Sequence, residues 1–129
     1  VTIAPGTRLE EAATLLAQRK IGAVVVSPDG KAVAGILSER DIVRELAARG
    51  AGCMATGVDE VMTREIVTCA RSDSSEAVLA MMTKGRFRHL PVVEGGEMVG
   101  LISIGDVVKA QLSELAMEKE ALEGMIKGF

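Results

Sequence analysis

The chain has 129 residues, 48% of them apolar and 26% charged, which is the composition of one globular domain or of two very small ones sharing a core. Its net charge of −3 leaves no chain-wide basic field to attract DNA or RNA. With only Phe87 and Phe129 for aromatics, the stacking platforms of single-strand binders are missing as well.

In chain order, each half reads as strand, helix, strand, strand, helix, which predicts a mixed α+β fold. Thr7 and Glu10 form a capping-box pattern ahead of an apolar helical face made by Leu9, Ala12, Ala13, Leu16 and Ala17. Ile21 to Val26 is a short continuous apolar run, as expected of a strand buried on both faces. Asp29-Gly30 is a hairpin-turn pair leading into a strand at Ala32 to Leu37, and a helix begins after Ser38. The Ala- and Gly-rich stretch from Ala47 to Gly57 reads as a helix end and linker, with a short helical turn at Glu60 to Thr63. Asp73 and Glu76 repeat the helix-start signal before Val78, Leu79 and Met82. Strands at Leu90 to Val93 and Met98 to Ile102 flank the turn Gly95-Gly96, and a helix starts after Ser103. From Gln111 to Lys127 the chain is helical in propensity, with Leu112, Leu115, Ala116, Leu122 and Ile126 as an apolar stripe. Glu114, Glu118, Glu120 and Glu123 oppose attraction of that helix to anionic lipid, so it is expected to lie on its own dimer or subunit and not on a membrane.

The second half overlays the first in a consistent register. Val1-Thr2-Ile3-Ala4 falls on Val67-Thr68-Cys69-Ala70, and Gly22 to Val26 falls on Arg88 to Val92. After a one-residue deletion in the turn, Gly35 to Asp41 falls on Gly100 to Asp106, Val43 on Val108 and Arg44 on Lys109. Such a repeat predicts residues 1–50 as one unit, 51–65 as linker, 66–112 as a second unit and 113–129 as a C-terminal helix. A unit of this size is marginal alone, so two copies packed about a pseudo-twofold axis are expected to share one core. Equivalent clefts would then lie at their junction, where ligand sites tend to occur.

No apolar run approaches the ~20 residues of a membrane span, and no signal-peptide pattern is present. Cys53 and Cys69 belong to no CxxC or Cys/His cluster, which fits reduced thiols in a cytoplasmic protein. The first residue is Val, which leaves room for a few preceding residues.

Two constellations carry chemistry. Ser38 with Asp41, and Ser103 with Asp106, sit three apart where a strand gives way to a helix. There a Ser can donate to a phosphate or ribose oxygen and an Asp can accept from both ribose hydroxyls. Helix-start physics explains the same spacing without any ligand, since Ser-x-x-Asp is itself a capping pattern. Arg86, Arg88 and His89 form the one concentrated basic cluster, suited to phosphate oxygens or to ion pairs at a surface. The first half has Gly22-Ala23 where the second has Arg88-His89, so the two clefts are not equivalent.

The sequence resembles the cystathionine-β-synthase (CBS) domain pair, also called a Bateman module. Gly35-Ile36-Leu37-Ser38-Glu39-Arg40-Asp41, Gly100-Leu101-Ile102-Ser103-Ile104-Gly105-Asp106 and Arg88-His89-Leu90-Pro91-Val92-Val93 carry the resemblance, with Val61-Met62-Thr63 and Ile66-Val67-Thr68 in the linker. It extends over essentially the whole chain and implies a stand-alone module of the bacterial signal-transduction type. The resemblance further implies a homodimer binding AMP, ADP, ATP, NAD or S-adenosylmethionine in its clefts and acting on a regulated partner. It favours ribose contact for Ser38, Asp41, Ser103 and Asp106, and phosphate contact for Arg40, Arg86, Arg88 and His89. Thr2 and Thr68 would approach the ligand from the first strand of each repeat. Adenine would be read by backbone near Ala23 and His89, with Ile3, Ile66 and Pro91 as walls.

Catalysis is not expected. Gly100 to Gly105 is one residue off a GxSxG elbow, and GxxxxGK[ST], GxGxxG and HExxH are all absent. A lone histidine makes a metal site improbable. Two readings remain: a nucleotide-sensing module, or a ligand-free structural dimerisation module in which Ser and Asp are caps only.

Overall fold

The computed structural model describes the backbone of residues 1–127 and the side chains of residues 1–117. In the first repeat β1 (Thr2–Ile3) lies parallel to β2 (Ala23–Val26), which pairs antiparallel with β3 (Gly35–Ser38). All four residues of β2 are buried, because helix α1 (Leu9–Arg19) sets Leu9, Ala12 and Leu16 against the sheet. Their spacing of three and four keeps them on one helical face. Helix α2 (Glu39–Arg49) follows β3 directly. The second repeat runs through α3 (Ser75–Gly85), β4 (His89–Glu94), β5 (Glu97–Ser103) and α4 (Ile104–Lys127). Its counterpart of β1 is reduced to a parallel bridge between Cys69 and Val92. Both α1 and α3 end on a left-handed residue, Lys20 at φ 54° and Arg86 at φ 59°, so the pseudo-symmetry reaches the helix ends.

The linker is built, not loose. Turns of 3-10 helix at Ala51–Ala55 and Val58–Glu60 bring Cys53, Val58 and Met62 into the first core. Thr63 then bridges to the outer edge of β3: Ile36 N donates to the Thr63 carbonyl at 3.0 Å, and Thr63 N to the Ile36 carbonyl at 2.9 Å. Gly35 permits this approach. A Cβ there would lie 2.6 Å from Met62 Sδ and 2.8 Å from the Thr63 carbonyl oxygen.

Several local expectations are revised. The Thr7–Glu10 capping box does not form; α1 begins one residue later, after Arg8, and the Leu9 amide is satisfied by the Thr56 carbonyl of the linker at 2.8 Å. In the second repeat the N-cap is Ser74, which accepts from Ala77 N, while Asp73 turns back to the Ala70 amide. Gly95-Gly96 makes a two-residue turn between the paired Glu94 and Glu97, both glycines having positive φ. Asp29-Gly30 instead sits inside a longer loop, Asp29 Oδ1 accepting from the Lys31 and Ala32 amides. That extra length reaches the other repeat, where the Lys31 carbonyl accepts from Met98 N and Lys31 Nζ lies 3.9 Å from Glu97. The strands starting at Ile21 and Ala32 are shorter than expected, and the helical turn at Glu60 to Thr63 falls at Val58–Glu60. The helix after Ser103 and the C-terminal helix are one continuous α4; Leu122 and Ile126 lie outside the residues whose side chains are described.

A single shared core is not what forms. One apolar cluster centres on Leu9, Val24, Leu37 and Val58, and a smaller one on Cys69, Val78, Met82, Leu90 and Val107. The linker enlarges only the first. In the second, Ser75 stands where the first has Leu9, and its hydroxyl bonds Gln111 and Glu114 on α4.

Candidate functional site

At the end of β3, Ser38 has extended backbone (φ −114°, ψ 163°) and caps α2. Its Oγ accepts from Asp41 N at 3.3 Å, while Asp41 Oδ2 accepts from Ser38 N at 2.9 Å and from Ser38 Oγ at 3.1 Å. The Glu39 amide donates to the Gly22 carbonyl at 2.9 Å, which pins the helix start to the beginning of β2. The second repeat reproduces this: Asp106 Oδ2 accepts from Ser103 N at 3.1 Å and Oγ at 2.8 Å, and the Ile104 amide donates to the Arg88 carbonyl. The capping role is therefore real in both copies. It occupies one oxygen of each carboxylate and leaves the other; Asp41 Oδ1 lies 3.8 Å from Arg44 Nη1. A ribose bridged by both oxygens would have to share Oδ2 with the cap, and Oδ1 is the oxygen that lies outside it.

The copies differ in burial. Asp41 is 9% exposed whereas Asp106 is open to solvent, where hydrogen bonds from Ser103 hold its carboxyl below the usual carboxylate range.

A cleft of about 470 Å³ opens between the repeats. Ile36, Ser38, Arg40, Asp41 and Arg44 line it from the first repeat, Thr63 from the linker, and Ile66 and Val67 from the start of the second repeat. Arg86, Phe87, Arg88, His89 and Ser103 line it from the second. The left-handed residue closing α3 delivers the basic cluster, since Arg86 is itself that residue. Arg40 and Arg44 are one helical turn apart on α2, so four arginines from the two repeats line one space together with Glu39 and Asp41. Guanidinium forks and a helix N-terminus are groups whose chemistry matches phosphate oxygens.

His89 is half-buried and meets the first repeat at Gly22, where a Cβ would lie 3.7 Å from its Cε1 and Nε2. Burial pushes its pKa below the ordinary 6.5, Arg88 acts in the same sense, and Asp106 and Glu39 oppose them.

Eight of the residues singled out in the sequence thus line the cleft: Ser38, Arg40, Asp41, Ile66, Arg86, Arg88, His89 and Ser103. Five do not. Thr2 pairs with Val25 at the sheet edge, and Thr68 is exposed. Ala23 and Pro91 are buried within β2 and β4, and Asp106 serves its own helix cap outside the cleft. Arg44 and Thr63 are additions. Arg44 was legible as the residue one turn beyond Arg40, whereas Thr63 is placed by a bridge to Ile36 that no local pattern announces. Among the described residues, no group of three or more His, Cys, Asp or Glu side chains is placed to hold a metal ion, and no helix is long and apolar enough to cross a membrane.

Comparison with known proteins bears on this geometry. The family model for the CBS domain matches residues 1–48 and 58–113. The chain is 35% identical over 122 residues to the mitochondrial CBS domain-containing protein CBSX3 of Arabidopsis thaliana, covering 92% of this chain and 59% of that one. It therefore spans about three fifths of that relative, and less than a quarter of several longer plant relatives. The crystal structure of the CBS-domain containing protein ATU1752 from Agrobacterium tumefaciens superposes with a TM-score of 0.82 at 45% identity, covering 86% of this chain and 88% of that one. CBSX2, whose crystal structure was determined in complex with AMP, superposes with a TM-score of 0.74 at 26% identity, covering 88% and 87%.

As the only histidine, His89 can be followed directly by NMR. Its free-state midpoint is expected below 6.5, so the unfolded chain takes up the proton first and folding stability declines as pH falls below that value. A bound phosphate should raise the midpoint, making nucleotide binding take up a proton. A free-state midpoint at or above 6.5 would contradict the burial of the ring.

Proposed function

The chain belongs to the CBS domain family as a CBS-domain pair, a regulatory and non-catalytic module, and from that premise we propose that it senses an adenine nucleotide in the cleft between its repeats. One observation carries the reading: the cleft gathers the Ser38–Asp41 pair of one repeat with Arg86, Arg88 and His89 of the other. AMP, ADP, ATP and NAD share the adenosine and phosphate groups that these residues match. The complex of CBSX2 with AMP supports the class. Asp41 Oδ1 would accept from a ribose hydroxyl, Ile36 and Ile66 would flank the base, and the arginines would take the phosphates.

Signalling follows from charge. Arg40 and Arg44 on one side and Arg86 and Arg88 on the other repel one another in an empty cleft, so phosphate between them favours approach of the repeats. A ligand shifts such an equilibrium only by its differential affinity for the two arrangements, and a phosphate touching both repeats has that property. The regulated partner would read the change in a cytoplasmic setting.

Thermal melting with AMP, ADP, ATP and NAD tests this. At a hundredfold excess over Kd a ligand adds about 2.7 kcal/mol, a rise of several degrees. Asp41→Ala and Arg88→Ala should abolish the rise, whatever their own baseline stability, and Asp106→Ala should retain it. A full rise in Asp41→Ala would overturn the ribose assignment. No rise with any of the four in the unaltered chain would favour the ligand-free structural reading, in which Ser38 and Asp41 act as caps alone.

Dimerisation is the second part of the proposal. Val43 on α2 and its counterpart Val108 on α4 are 65% and 41% exposed, and Leu112 and Leu115 continue the apolar surface along α4 at 60% and 54%. Contiguous apolar positions of this kind mark an association surface. Light scattering should give twice the chain mass, reverting to the monomer in the double variant Leu112→Glu, Leu115→Glu. A monomeric unaltered chain at concentrations on the order of 100 μM, weaker than specific interfaces of standard size, would overturn it.

A further inference from the structure

Because the repeats have separate apolar clusters, the angle between them rests on few contacts. At the cleft end, His89 lies against Gly22. Among the described residues, one backbone hydrogen bond joins residues 1–50 to residues 66–127, from Met98 N to the Lys31 carbonyl at 2.9 Å. One ion pair does the same, Lys31 Nζ to Glu97 at 3.9 Å. Both converge on Lys31, at the end of the strands away from the cleft. β5 runs from Glu97 there to Ser103 at the cleft, which puts Met98 about 17 Å from Ser103 along the strand.

The loop that delivers Lys31 is built to hold it. Its ends are tied to the first repeat: Ser27 N donates to the Ile3 carbonyl and Ala34 N to the Val26 carbonyl, each at 2.9 Å. Within it, the buried Ser27 Oγ accepts from Gly30 N at 2.8 Å, and Gly30 takes the left-handed φ of 82° that the turn requires. Asp29 Oδ1 accepts from the amides of Lys31 and Ala32, both at 2.9 Å. With its amide held by Asp29, Lys31 presents its carbonyl to the second repeat. The counterpart turn there, Gly95-Gly96, is two residues long and has no chain to spare for such a reach.

The second repeat offers the matching donor. Val93 N donates to the Cys69 carbonyl, on the side of β4 away from β5. Val93 and Met98 are therefore opposed without exchanging ladder bonds, and the Met98 amide points outward from β5. The Lys31 carbonyl satisfies that amide, while the exposed ion pair beside it adds little.

We propose that the loop 27–34 is a clasp that sets the angle between the repeats, and with it the placing of Arg86, Arg88 and His89 opposite Ser38 and Asp41. The linker ties the repeats covalently. Rotation of one against the other is restrained by His89 on Gly22 at one end and by the clasp at the other. Lys31 and Met98 do not line the cleft, so they are positioning residues that act on it from a distance. A net contribution of about 1 kcal/mol from the Met98–Lys31 bond corresponds to about a fivefold change in the ratio of closed to open arrangements. That is small enough for an occupant of the cleft to reinforce or reverse.

Two variants separate the bond from the side chain. Met98→Pro removes the amide, in a place where proline is tolerated because the N–H points away from the partner strand. Met98→Ala removes the side chain and keeps the amide. Both are read by NMR on the full chain without nucleotide, through the Overhauser contact between His89 Hε1 and Gly22 Hα and through the His89 midpoint. The unaltered chain and Met98→Ala are expected to show the contact and a midpoint below 6.5. Met98→Pro should weaken the contact and move the midpoint up toward 6.5 as water reaches the ring. Burial outweighs Glu39, which recedes at the same time, while Arg88 and Asp106 stay with His89 in the second repeat. Should Met98→Pro fold poorly, Asp29→Ala, which frees the Lys31 and Ala32 amides, should move both readings the same way.

Unchanged readings in Met98→Pro, or in Asp29→Ala where it takes that place, would overturn the clasp. So would absence of the contact from the unaltered chain, or an equal change in Met98→Ala, which would assign the effect to side-chain packing. One consequence rests on the proposed nucleotide site: Met98→Pro should weaken AMP binding about fivefold, since apparent affinity falls with the fraction of closed chains. Unchanged AMP affinity in a chain whose His89 has left Gly22 would overturn the positioning role. A chain that binds no nucleotide would refute the proposed function, and the NMR comparison would still decide the clasp.

Discussion

The reciprocal bonding of a serine and an aspartate at the strand-to-helix junction is the constraint on which the rest of the molecule depends. Ser38 and Asp41 close each other's orphan backbone amides, and the Glu39 amide reaches the Gly22 carbonyl at the head of the neighbouring strand. These bonds fix where β3 stops, aim the start of α2 at the space between the repeats and hold Asp41 nearly buried. Because the cap uses Oδ2 alone, the same residue presents Oδ1 to the cleft. Under the proposed function, cap and ligand contact would be one arrangement serving two ends, not competing explanations of the motif.

Much of this was legible in the chain. The duplicated Gly-to-Asp stretches located both junctions, and the apolar run ending at Val26 identified a strand buried on both faces, whereas in β4 only Leu90 and Pro91 are buried. What could not be read was anything set by long-range pairing. Leu9 takes its capping partner from Thr56, nearly fifty residues on, so the local signal at Thr7 and Glu10 lost to a tertiary bond. Thr63 enters the cleft only because Ile36 offers it a strand edge. Thr2, Thr68, Ala23 and Pro91 were drawn in by resemblance, and their places in strands or at the surface keep them out of the cleft.

The departures from symmetry matter more for function than the symmetry. Replacing Gly22-Ala23 by Arg88-His89 concentrates positive charge on one cleft, and the half-buried His89 uses the missing side chain of Gly22 to sit across the junction. The linker completes the first core and leaves the second short of apolar contacts, with Asp106 exposed where Asp41 is covered. One repeat is thus finished by its own chain and supplies the carboxylate. The other supplies Arg86, Arg88 and His89 to the same cleft.

The central claim is that one cleft, built from both repeats, takes one nucleotide. Calorimetric titration of the chain with AMP, ADP, ATP and NAD tests it most directly, because stoichiometry is read independently of affinity. A single site per chain, for at least one of these ligands, is the predicted result. Two equal sites per chain would show that the Ser103–Asp106 side binds as well as the Ser38–Asp41 side, and the absence of heat with all four would show that neither does.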